Sequence, residues 1–144
     1  MSNVILRSLS LFFLIFMLGA CAKEVRQPRS PEEQLLRRVK AYWDLRVKGA
    51  PVAERIQFER CGLDPKCREA LLSGGSKNSV TYYSYEILGV RFPDEKTALV
   101  KIRVRYKIPP ILGKSFERVG TFEDKWVLID GRWYHVIKGF ATEW

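Results

Sequence analysis

The sequence predicts an α+β domain in which three N-terminal helices pack on a curved four-stranded antiparallel sheet. Three observations lead there. Between Ser30 and Leu72, apolar residues recur at spacings of three and four behind two cap-plus-proline starts, Ser30-Pro31 and Asp64-Pro65. From Val100 to Ile108 the apolar positions alternate with Lys101, Arg103, Arg105 and Lys107, a separation that only a strand produces. Asp130-Gly131 then sits between two aromatic-rich runs as a hairpin signal. A chain of 144 residues, 47% of them hydrophobic, supplies one packed domain with little left over.

The segment before the first helix has a different character. Ser2 to Ala20 contains one ionisable residue, Arg7; the run Leu9 to Leu18 is broken only by Ser10, and Gly19-Ala20 directly precede Cys21. A positive start, a short apolar run and small residues at the end describe a secretory signal. A spanning helix would need ~20 apolar residues, so the run is too short to cross a bilayer. Leu18-Gly19-Ala20-Cys21 also resembles the lipobox of bacterial lipoproteins, with Gly19 a less common choice than Ala or Ser. The resemblance implies cleavage before Cys21, a diacylglycerol thioether on its thiol and acylation of the new amino group. Residues 1–20 are then the signal, 21–29 a lipid-anchored tether containing Pro28, and 30–144 the domain. Each buried methylene contributes ~0.8 kcal/mol, so two or three acyl chains hold the protein on a membrane almost permanently. Losing Arg7 takes the formal charge from +9 to +8. By the same resemblance, Ala22 in place of an aspartate implies the outer membrane of a Gram-negative envelope, facing the periplasm.

Ser30, Pro31 and Glu33 form the start of a helix, with a capping serine, a proline at the first position and a glutamate placed for a capping box. Leu35, Leu36, Val39, Tyr42, Trp43 and Val47 then make one apolar face, and Gly49 stops it. Arg37, Arg38, Lys40, Asp44 and Lys48 fall mostly off that face and read as solvated. A second short helix is expected over Val52 to Glu59 and a third from Pro65 to Leu72, closed by Ser73-Gly74-Gly75-Ser76. Between them lie Cys61 and Cys67. With Cys21 lipidated in an oxidising compartment, these two thiols are a natural pair, two free buried thiols being the alternative. Zinc is not expected, because His135 is the only histidine and Cys-x5-Cys offers too few ligands.

From Val80 the chain turns to β-branched and aromatic residues, and Pro93 to Lys96 make the first turn. Ala98 to Ile108 is the second strand, ended by Pro109-Pro110. Phe116 to Ile129 is the third, and Arg132 to Phe140 returns as the fourth.

Tyr42-Trp43, the Asp64-Pro65 pair with Cys67 in "DPKCREAL", and Asp130-Gly131-Arg132-Trp133 together resemble the nuclear-transport-factor-2-like superfamily over Pro31 to Phe140. That resemblance implies a cone-shaped α+β fold. The superfamily contains isomerases, dehydratases and epoxide hydrolases besides noncatalytic binding and assembly modules, so the fold does not choose among roles. Where such chains have Gly-Asp after the first helix, this one has Gly49-Ala50, and any role of that aspartate is lost.

Three sets of residues are candidates for function. Tyr42, Trp43, Tyr82, Tyr106, Trp126, Trp133 and His135 would line a hydrophobic cavity if the cone is open, or fill it as core if it is not. Asp44, Tyr82, Tyr106 and His135 are the side chains through which the enzymes' chemistry would run, His135 as general base. No carboxylate is identifiable as its partner, no catalytic set can be assigned, and neither metal nor cofactor is expected. Lys101, Arg103, Arg105 and Lys107 form a stripe about 20 Å long on one sheet face, with Glu117 and Glu123 on the next strand available to neutralise it. Left free, the stripe suits anionic lipid, cell-wall carboxylates or an acidic envelope protein. Nucleic acid is disfavoured by the address, and a second copy of the chain against the sheet is a further candidate partner. The expectation is therefore a lipid-anchored binding or assembly module, with a lyase or isomerase as the alternative.

Overall fold

A computed structural model describes residues 30–74, 80–111 and 114–137. The signal, Cys21, the tether and the last seven residues of the expected fourth-strand region and C-terminus lie outside these described residues.

Helix α1 spans Pro31–Val47, and the Ser30 hydroxyl accepts the backbone N–H of Glu33 at 3.1 Å. Its buried face is Leu35, Val39, Tyr42 and Trp43. Arg38, expected on the solvated side, instead donates to the backbone carbonyls of Trp133 and Gln57 and lies over the Phe58 ring. Its long stem reaches round the helix to these two carbonyls, so it fastens α1 to the sheet's far edge.

The expected second helix is shorter than its periodicity suggested. Helix α2 covers only Val52–Arg55, and 3-10 turns follow at Ile56–Phe58 and Arg60–Leu63. Glu59 between them is extended, at φ −90° and ψ 136°, and bridges His135 in parallel. Pairing with the sheet displaced a continuous helix. Gly62 fits this compact turn because a Cβ there would collide with the Ile56 carbonyl.

Helix α3 spans Pro65–Ser73, with Asp64 accepting the Cys67 N–H at 2.7 Å. Cys61 and Cys67 form a disulfide with Cα atoms 5.3 Å apart, tying the second 3-10 turn to the first turn of α3. Replacing Cys61 by serine is expected to lower unfolding free energy by about 2 kcal/mol, because the closed loop is short; a urea midpoint unchanged from wild type would contradict this.

Strands β1 (Thr81–Asp94), β2 (Thr97–Ile111), β3 (Lys114–Ile129) and β4 (Arg132–Val136) form an open antiparallel sheet in the order β1-β2-β3-β4. Register shifts at Tyr82/Ser84, Ile87/Gly89 and Arg91/Asp94 bend β1, the source of the curvature. Pro109-Pro110 does not end β2: the ladder skips from Ile108 to Ile111 at a register shift, where no N–H is required of either proline. The β3–β4 turn places Asp130 at φ 47° and Gly131 at φ 74°, the paired left-handed conformations of a tight hairpin. Strand β4 is described over Arg132–Val136, and residues 138–140 of the expected strand lie outside the described residues.

One sheet face is covered by the helices. Ala98, Val100, Ile102 and Val104 of β2 are fully buried there with Trp126, and Trp133 is 1% exposed. The opposite face carries the basic stripe. Among the described residues no helix is long and apolar enough to cross a membrane.

Candidate functional site

Period-two alternation sends Asp124 and Trp126 of β3, and Trp133 and His135 of β4, to the helix-covered face. Trp126 and His135 are direct cross-strand partners. Above them the extended Glu59 lowers its side chain onto the ring, so that His135 Nδ1 donates to Glu59 Oε2 at 2.8 Å. Both groups are buried. On the other side of the ring, Nε2 lies 3.7 Å from Asp124 Oδ1, an ion-pair distance too long for a hydrogen bond. Asp124 Oδ2 accepts the indole N–H of Trp43 at 2.8 Å. Tyr42 stacks on the imidazole at 4.6 Å between centroids.

Burial pulls the imidazolium down, but the two flanking carboxylates outweigh it and raise the His135 pKa from 6.5 to about 9. The ring is then a cation at neutral pH. The consequence for stability has a definite sign. A folded-state pKa above the unfolded one stabilises fully below pH 6.5, and that contribution is lost as pH rises through about 9. Urea midpoints are therefore expected to fall across this window; a flat profile would place the ring in its neutral form.

This cluster forms one wall of a cavity of about 470 Å³. Tyr42, Trp43 and Arg46 of α1 line it, with Val52 and Ile56, Leu71 of α3, and Tyr82 and Phe122 from the sheet. Arg46 gives Nη1–H to the Tyr42 hydroxyl at 2.7 Å and Nη2–H to the Tyr82 hydroxyl at 2.6 Å. Burial, then the Glu59 carboxylate, pushes the Tyr42 phenol well above its ordinary pKa, so it stays neutral. Because Glu59 and Asp124 approach opposite nitrogens of His135, the three do not converge on one point, and no metal-ligating cluster occurs among the described residues.

Of the seven sequence-predicted cavity residues, Tyr42, Trp43, Tyr82 and His135 line this space. Trp126 and Trp133 are closed core instead, and Tyr106 packs beside Phe122 at 5.8 Å without lining the cavity. Asp44 stands outside, accepting from the Tyr85 hydroxyl at 2.7 Å. Sequence reasoning missed Glu59, Asp124 and Arg46. Arg46 follows Tyr42 by four residues and so shares its helix face, and Asp124 shares strand parity with Trp126; both were detectable. Glu59 had no such signal.

The basic stripe is on the outer face as expected, but its neutralisation differs. Arg103 pairs with Glu86 of β1 at 2.9 Å, while Glu123 is taken by Arg91 at 3.4 Å, although the register sets it opposite Lys101. Glu117 faces Lys107 in register without an ion pair. These pairs are solvent-exposed, each contributing well under ~1 kcal/mol.

Compared with protein-family models, curated proteins and solved structures, the chain matches none of them.

Proposed function

We propose that this chain is a lipid-anchored envelope protein whose single domain is a noncatalytic binding module, with the cavity beside His135 as its ligand site. The address rests on the residue pattern of positions 1 to 21, and the likeness to nuclear-transport-factor-2-like modules on the motifs quoted above. The observation that carries the binding role is the clamping of His135 between Glu59 and Asp124. A general base must be neutral at working pH and free to take a proton. Here the two flanking carboxylates favour the charged ring, which has no free lone pair to accept a proton. Fixed charge and aromatic walls around about 470 Å³ suit recognition of a small molecule. The lyase or isomerase reading draws on one observation, the convergence of Tyr42, Glu59, Asp124 and His135 on the cavity. It requires a ring that titrates near neutrality. The stripe of Lys101, Arg103, Arg105 and Lys107 serves in this reading to orient the domain on an anionic surface.

Native mass spectrometry of full-length protein released from membranes in mild detergent tests the proposal. A covalently acylated N-terminal Cys21 and a noncovalent small-molecule adduct are expected. An unmodified chain beginning at Met1 would overturn the address, and turnover abolished by His135→Gln would overturn the binding role.

A further inference from the structure

We infer that the arginine end of this cavity receives an apolar molecule bearing a single carboxylate, with Arg46 as the group that binds it; this rests on the reading of the cavity as a ligand site. The Arg46 guanidinium spends two N–H groups on neutral phenols, and its Nε–H is buried with no acceptor among the described residues. Tyr82, Tyr42 and Trp43 rings surround it at 4.6, 5.5 and 5.5 Å. Aromatic faces attract the cation but do not neutralise it. Among the described residues no carboxylate lies within ion-pair distance of Arg46, nor of Arg55, whose Nε–H goes to the Ala50 carbonyl. The two arginines also line an adjoining recess of about 610 Å³, so they stand where the two spaces meet.

A half-buried guanidinium without a counter-ion among the described residues is an electrostatic deficit that an anion relieves. The planar fork of arginine matches a carboxylate. Glu59 and Asp124 line the same cavity but share one imidazolium, so neither is paired with Arg46. Among the described lining residues three cations face two carboxylates, a surplus of one unit, so a monoanion fits better than a phosphate dianion. Val52, Leu71 and Phe122 supply apolar contact for the body of the ligand.

Calorimetric titration of the full-length protein with 4-phenylbutyrate, its primary amide and the corresponding phosphonate decides the matter, with the Arg46 Nε–H resonance followed by NMR. The carboxylate is expected to bind about tenfold or more tightly than the amide, and to shift that resonance. Arg46→Gln should erase the difference, and Arg46→Lys should keep part of it. If neither variant folds, the wild-type arms still decide. Equal affinity for carboxylate and amide overturns the anion inference while the ligand site stands. Binding of no probe at all counts against the ligand site itself. Tighter binding of the phosphonate overturns the choice of a monoanion.

Discussion

Replacing Glu59 by alanine is expected to lower unfolding free energy by about 3–5 kcal/mol, the loss typical of breaking a buried ion pair by removing one partner. The His135 ring has nowhere to go. It is buried beneath Tyr42, stacked at 4.6 Å, and its remaining carboxylate, Asp124, is 3.7 Å from the other nitrogen. Part of the loss is recoverable at high pH, where the ring sheds its proton. The variant should therefore differ most from wild type below pH 6.5 and least above about 9, where the wild-type stabilisation has itself gone. Urea unfolding at both ends of that window measures the difference. Equal losses at the two ends would mean that Glu59 contributes packing and a hydrogen bond, with no imidazolium to hold.

Trp126→Ala is the second large effect, about 3–5 kcal/mol from lost burial and the cavity left behind. Trp126 is fully buried, meets Tyr42 edge-on at 5.8 Å and lies 5.4 Å from the His135 ring, so it is core that supports two of the cavity's lining residues from behind. Set against the 5–15 kcal/mol of a typical domain, such a loss leaves little. Trp126→Phe should cost much less. Its volume change is smaller, and the indole N–H has no hydrogen-bond acceptor among the described residues, so phenylalanine removes an unsatisfied donor. Calorimetric midpoints that fall equally in the two variants would contradict this reading of the core.

The elements were legible where local chemistry and tertiary demand agree. Ser30 and Asp64 cap their helices, the alternation through Val100, Ile102 and Val104 marks the buried face of β2, and Asp130-Gly131 forms the hairpin. Pro109-Pro110 misled because a proline inside a strand is tolerated at a register shift, which one sequence does not reveal. Glu59 was hidden for a stronger reason. Residues 52 to 59 have helical composition, and the bridge to His135, 76 residues away, overrides it. Asp124 sits in the charged triplet Glu123-Asp124-Lys125, where composition suggests solvent on every side; only its parity with Trp126 points inward. The site's central pair was thus half visible, as a histidine awaiting a partner.

The charge state of His135 tests the account most directly, through a titration of its ring nitrogens by 15N NMR in the full-length protein. Both nitrogens protonated at neutral pH, with a midpoint near 9, is the predicted result. A ring neutral at that pH, titrating near the ordinary 6.5, would contradict it and return the cavity to the enzyme reading.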